Sequence, residues 1–191
     1  MLNRGKVFVV SGPSGAGKTT ILTRFLKEDK NSAFSVSYTT RQKREGEREG
    51  IDYHFVTRST FEELIRKGFF LEWEEVHGEM YGTPKEPLLE MIEKGIDVFM
   101  DLDVNGAMKI KRVFPQAILI FIQPPSEEEL IMRLKNRKEK AIIKRLERLR
   151  KELEAKRFFD YVIINDSIEK ALSEFKNIVE EVRSCHGKNN G

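Results

Sequence analysis

The residues best equipped for chemistry stand near the amino terminus, in KVFVVSGPSGAGKTTILTRF. The spacing Gly12-x-x-x-x-Gly17-Lys18-Thr19 fits a phosphate-binding loop set between a strand and a helix. Glycines let the backbone turn and approach a ligand closely. Successive N–H groups can then point into one concavity, at the positive end of the following helix. The run Gly12, Pro13, Ser14, Gly15, Ala16, Gly17, Lys18, Thr19 and Thr20 therefore suits the phosphates of a nucleoside triphosphate. Lys18 would reach the β/γ-phosphates, and the Thr19 hydroxyl would ligate Mg2+. The loop says what is held, not where the phosphoryl group goes.

Two further groupings could hold an acceptor. Arg41 and Arg44 are three apart, with Tyr53 beyond a hydrophilic turn. Two guanidinium groups and a phenol suit a phosphate dianion, because the arginine fork binds it through paired charge-assisted hydrogen bonds. A solvated basic loop would read the same way. Glu72 sits among Phe69, Phe70, Leu71 and Trp73, and a carboxylate in such company requires a partner. Guanine offers N1–H and N2–H2 donors on one edge, enough for both carboxylate oxygens, and Thr83 or a backbone N–H could serve its O6. A cap or a salt bridge within the protein is the alternative for Glu72.

Five apolar or β-branched runs would position these groups as buried parallel strands: Val7–Ser11, Phe34–Thr39, Val98–Asp103, Ala117–Gln123 and Tyr161–Asn165. Helical patterns over Thr19–Glu28, Lys85–Lys94, Gly106–Val113 and Ser167–Arg183 alternate with them. The expectation is an α/β fold of three layers around a central parallel five-stranded sheet. Two stretches break the rhythm. Arg41–Gly82 reads as an inserted α+β subdomain, with a strand signal at Tyr53–Val56 and a helix at Ser59–Lys67. Ser126–Arg157 is basic and helix-forming: it opens with a Ser126/Glu129 capping box and carries an apolar stripe at Ile142, Leu146, Leu149 and Leu153. Its arginines read either as a solvated face or as a phosphate clamp.

Composition narrows the class. With 39% hydrophobic residues the 191-residue chain can bury a proper core, as one domain with insertions. Its 34 Lys and Arg against 31 Asp and Glu leave a net charge of only +3, so local arginine clusters matter more than the total and nucleic acid is not an expected partner. The single Cys185 excludes an internal disulfide framework. No apolar stretch is long enough to span a membrane and no signal peptide precedes the first strand, so a cytoplasmic location is expected.

In order along the chain, SGPSGAGKTT, FSVSYTTRQKREGEREGIDYHFV, FLEWEEVHGEMYGTP, MDLDVNGA and IFIQPPSEEEL-x-x-RL resemble guanylate kinase over nearly its whole length. The resemblance implies transfer of the γ-phosphoryl of ATP to GMP, giving ADP and GDP, with Mg2+ accompanying ATP. It implies a core of residues 1–36, 84–125 and 158–191, a GMP-binding subdomain over 37–83 and a helical lid over 126–157. Ser37, Arg41, Arg44, Tyr53 and Tyr81 match positions around the GMP phosphate, and Glu72, Thr83 and Asp101 those that read guanine. Asp103 would help hold the metal's water shell; whether Asp101 serves base or metal stays open. Arg133, Arg137 and Arg145 match lid and phosphate-clamping arginines, and Asn165 lies where the family often approaches adenine.

Three departures stand out. Tyr38 replaces a usually small residue, Asn105 a usual glutamine, and NRKEKAIIKRL after the PPS motif is several residues shorter and more basic than usual. Two other readings share the fold. A kinase-dead scaffold module would lack a working P-loop, whereas Gly12, Gly17, Lys18 and Thr19 are all present. A P-loop kinase for another phosphorylated substrate would have no use for a guanine reader at Glu72 and Thr83.

Overall fold

The computed structural model describes residues 4–76, 78–126, 128–129 and 154–185. In chain order the elements are β1 (Val7–Ser11), α1 (Lys18–Glu28), β2 (Ser32–Phe34), β3 (Tyr38–Thr39), β4 (His54–Phe55), α2 (Arg58–Arg66), β5 (Phe70–Val76) and β6 (Glu79–Pro84). They continue as α3 (Lys85–Glu93), β7 (Asp97–Asp101), α4 (Val104–Val113), β8 (Ile118–Gln123), a 3-10 turn at Lys156–Phe158, β9 (Tyr161–Ile164) and α5 (Ile168–Cys185). Five strands form the expected central parallel sheet, in the order β2-β7-β1-β8-β9. Four more form a second sheet in the order β4-β3-β6-β5.

The chain divides into two compact units. Met1–Val9 and Asn31–Ile118 make the first. Its core is apolar strand against apolar strand: Phe8 stacks on Phe99 at 4.6 Å, and both are fully buried. Burying a side chain of this size contributes about 1.5–3 kcal/mol. Leu88 and Ile92 of α3 and Ala107 and Ile110 of α4 are buried at helical spacing, which fixes the face each helix turns inward. Val10–Lys30 and Leu119–Gly191 make the second unit, where Phe25 of α1 meets Phe175 of α5 edge-on at 5.1 Å. In β8, Leu119, Ile120, Phe121 and Ile122 are all buried, the continuous apolar run expected of a strand covered on both faces.

One expected strand is two. Phe34–Thr39 was to be a single core strand. Instead β2 runs parallel to β7 and ends at Phe34, while β3 pairs antiparallel with β6 in the second sheet. Ser35 N–H still donates to Phe99 O at 2.9 Å, but by Thr40 the partner is Met80 O at 3.0 Å. The change of sheet follows from packing: Tyr38 lies against His54, Phe69 and Phe70 with ring centroids 4.5, 5.2 and 5.8 Å away. That aromatic cluster also answers the Tyr38 departure. The other expected strands and helices appear with ends shifted by a residue or two. The MDLD strand stops at Asp101, and Asp103 caps α4 by accepting from Gly106 N–H at 2.8 Å. Most of the basic segment lies outside the described residues, its apolar stripe and Arg133, Arg137 and Arg145 included; of its opening, Glu129 N–H donates to Ser126 Oγ at 3.2 Å, half of the expected capping box.

Candidate active site

In the second unit the glycine-rich loop leaves the carboxyl end of β1 and enters α1. Gly17 is the N-cap, at φ 95°, and no side chain caps the first turn. A Cβ at Gly17 would lie 2.2 Å from Asn165 Nδ2, and one at Gly12 (φ 138°) would lie 2.0 Å from Ile122 O. Both glycines are therefore required by backbone angle and by space. Ala16 N–H turns back to Pro13 O at 3.1 Å. Lys18 Nζ donates to Gly12 O at 2.7 Å and to Pro13 O at 3.3 Å, so its ammonium lies over the loop. Thr19 and Thr20 follow in the first turn of α1. Asn165, only 1% exposed, donates its amide to Ala16 O at 2.7 Å. The role visible for Asn165 is support of the loop from within the core.

In the first unit the expected acceptor groups converge on the second sheet. Thr83 Oγ1 donates to Glu72 Oε1 at 2.7 Å across the β5–β6 pair, where the two residues are in register. Burial pushes the Glu72 carboxyl above its usual range; Thr83 and the more distant Lys109 only partly offset this. The internal partner left open for Glu72 is thus a neutral hydroxyl, not a salt bridge. The strand carrying it is tied to α4: Lys109 lies 3.1 Å from Glu74 Oε2 and donates to Trp73 O at 2.7 Å, and Asn105 donates to Glu74 Oε1 at 3.2 Å. The Asn105 departure therefore still makes a side-chain bond to β5.

Arg41 is held by a group that sequence reasoning missed. Its Nη2 and Nη1 donate to the Oε1 and Oε2 of Glu47 at 2.8 and 3.1 Å, and Nη1 also donates to Gln42 O at 2.8 Å. The Arg41 guanidinium lies over the rings of Tyr53 and Phe55, 5.3 and 5.7 Å from their centroids. Tyr53 and Tyr81 approach edge-on at 6.0 Å. Burial, with Asp101 second, pushes the Tyr53 phenol up to about 12, so it stays protonated and able to donate to an anion. The sidechain of Arg44 is exposed at the rim, and Ser37 accepts His54 N–H through its carbonyl at 2.9 Å. Nothing in the sequence set Glu47 apart, because Glu45 and Glu49 stand beside it in the same charged turn.

Thr19 and Asp103 supply hard oxygen donors, which fit Mg2+ by type. Among the described residues no three His, Cys, Asp or Glu side chains cluster as a metal site, and no helix is long and apolar enough to cross a membrane.

The family model described as guanylate kinase matches residues 4–182. A guanylate kinase of Nitratidesulfovibrio vulgaris is 47% identical over 175 residues, covering 90% of this chain and 84% of the relative. One of Carboxydothermus hydrogenoformans is 41% identical over 181 residues, covering 93% and 89%. The crystal structure of guanylate kinase from Anaplasma phagocytophilum superposes with a TM-score of 0.79 at 33% identity, covering 94% of this chain and 86% of that one. With the phosphate loop, the Glu72–Thr83 pair and these matches in agreement, the chain belongs to the guanylate kinase family.

Proposed function

We propose that this protein transfers the γ-phosphoryl group of ATP to GMP, giving ADP and GDP. The observation that carries the choice of acceptor is the half-buried Glu72 carboxylate, oriented through one oxygen by Thr83. A carboxylate so placed gains most from a ligand presenting two donors side by side, as guanine does at N1 and N2. In the proposal Ser37 and Asp101 complete the surroundings of GMP, while Arg41, Arg44, Tyr53 and Tyr81 take its phosphate. A GMP phosphate oxygen attacks the γ-phosphorus, the bond to the β–γ bridging oxygen breaks, and ADP carries away that electron pair. The attacking dianion needs no general base, so the protein's contribution is positioning and charge.

On the donor side, the loop from Gly12 to Thr20 takes the triphosphate on its backbone N–H groups, and Lys18 exchanges its carbonyl partners for phosphate oxygens. Thr19, with Asp103 toward the water shell, would hold the Mg2+ that accompanies ATP. When bound, that ion neutralises charge on the β- and γ-phosphates. Asn165 would keep the loop in shape and lie toward the adenine. Arg133, Arg137 and Arg145 belong to the proposal as the clamp on the transferring group, with a lid over 126–157 and a GMP subdomain over 37–83. A cytoplasmic site of action is part of the same proposal.

A coupled assay for ADP release with a panel of nucleoside monophosphates tests the reading. GMP should be turned over far faster than AMP, CMP or UMP. Equal turnover of several would point to another P-loop kinase, and turnover of none to a scaffold module.

A further inference from the structure

Resting on that reading, we propose that Glu47 is the positioning residue of the phosphate site: it fixes Arg41 and the turn carrying Arg44 in the arrangement that receives the monophosphate. The turn from Arg41 to Glu47 is closed at several points by this one carboxylate. Its two oxygens take Nη1 and Nη2 of Arg41 at 3.1 and 2.8 Å, and Oε2 also accepts Arg44 N–H at 2.7 Å. The backbone adds Glu47 N–H to Arg44 O at 3.2 Å. Side chains of Arg41 and Glu47 are 14% and 20% exposed, so the pair is largely shielded from water.

The donor geometry of Arg41 matters here. Of its five N–H groups, both on Nη1 are taken, one by Gln42 O and one by Glu47, and Glu47 takes one on Nη2. Nε and the second hydrogen of Nη2 form the remaining edge; Tyr81 also makes a side-chain hydrogen bond to this guanidinium, and a second anion can engage the remaining edge side-on beside it. An arginine has a long, flexible stem, and fixing it beforehand spares the ligand that ordering. The competing picture is a plug, in which Glu47 imitates the phosphate and must be displaced. A plug has no reason to hold the Arg44 backbone as well. The carboxylate here closes the turn, so it stays in place while the phosphate adds to the edge of Arg41 that Glu47 leaves. Arg41 and Arg44 in turn hold the Glu47 carboxyl below its usual range, so the pair persists well into acid.

The test separates the phosphate from the base. Binding of GMP and of guanosine is measured by calorimetry for the parent protein and for Glu47→Gln, Glu47→Asp, Arg41→Ala and Arg41→Ala/Glu47→Gln, with melting curves to confirm folding. Glu47→Gln should weaken GMP by roughly tenfold or more, leave guanosine unchanged and leave KM for ATP unchanged. Glu47→Asp, which keeps the charge but shortens the reach, should fall between. On the Arg41→Ala background, Glu47→Gln should have a much smaller effect, limited to what the Arg44 turn contributes. Unchanged or tighter GMP binding in both Glu47 variants overturns the proposal, as does an equal loss for guanosine. If Arg41→Ala itself leaves GMP binding intact, the assignment of this loop to the phosphate fails, and the inference falls with it.

Discussion

Glu72→Gln offers the sharpest check on the base reader, because the structure fixes what the substitution can do. In the parent, Thr83 Oγ1 donates to Glu72 Oε1 at 2.7 Å. A glutamine keeping its carbonyl oxygen there turns its NH2 toward the ligand, where guanine presents donors. Reversed, the amide leaves Thr83 to find another acceptor. Either way one charge-assisted bond is lost, worth about 1.5–3 kcal/mol, and a donor is left facing a donor at further cost. Together the loss is about 3–4 kcal/mol, or a few hundred- to a thousandfold in kcat/KM for GMP. AMP moves the other way, since adenine N1 is an acceptor and the new NH2 can serve it. The ratio of kcat/KM for GMP to that for AMP should fall by roughly a thousandfold. An unchanged ratio would refute the assignment of Glu72 to the base.

The same substitution has a signature in pH and stability. Burial raises the Glu72 carboxyl in the free protein, so the native state holds that proton more tightly than the unfolded chain does. Stability from this group is therefore greatest in acid, falls as pH rises from the unfolded value to the native one, and stays lowered above it. Glu72→Gln removes that penalty: at neutral pH the ligand-free variant should melt higher than the parent, and the difference should vanish below the ordinary carboxylate range. With Glu72 as the proposed base reader, GMP binds the ionised form, so its affinity for the parent should weaken as pH falls through the raised value, whereas the variant should show no such titration.

Lys18→Ala should lower the maximal rate by a few hundredfold, about 3–4 kcal/mol, while calorimetry finds GMP binding unchanged, because the proposal has the ammonium serve the transferring charge; near-parent turnover would remove the loop from the mechanism. Gly17→Ala should lose about 2–4 kcal/mol of stability. Its Cβ would displace the Asn165 amide that holds Ala16 O, and the backbone sits at φ 95°. For a chain of this size that is a fall in Tm of roughly 5–15 °C.

Legibility followed locality. The phosphate loop was readable because its function lies in consecutive residues, where glycine spacing and a following helix carry the whole signal. The strands of the central sheet were readable for a related reason: each is a short apolar run, and Phe8 and Phe99 look buried before any partner is known. The break between β2 and β3 was not, since FSVSYTT is one β-branched, aromatic run and its division is decided by distant partners, Phe99 for one half and Met80 for the other. Glu72 stood out as a carboxylate in apolar company, but its tie to Thr83 depends on hairpin register, which period-2 patterning leaves open. Glu47 was hidden for the opposite reason: a charged residue in a charged turn has no contrast, and only the fork geometry at Arg41 distinguishes it from solvated neighbours.

These placements share a physical logic. Three of the groups proposed to meet substrate already have partners from their own chain. Lys18 rests on two loop carbonyls, Arg41 on Glu47, and Glu72 on Thr83. Leaving a buried or half-buried donor unmet is costly, so the resting bonds stabilise a site that must wait for its ligand. They also set which ligands can enter. At Lys18 the resting acceptors are neutral carbonyls, so an anionic phosphate oxygen adds the attraction of opposite full charges to a bond already assisted by the ammonium. An uncharged ligand would exchange like for like and gain nothing there. At Glu72 the resting partner covers only one oxygen with one neutral donor. A base with two adjacent donors therefore improves on the resting state, whereas a base with an acceptor in that position worsens it. On the proposed reading, discrimination at Lys18 and at Glu72 comes from the partner that the ligand must replace, and substitutions that strengthen that partner should weaken binding as surely as those that remove the reader.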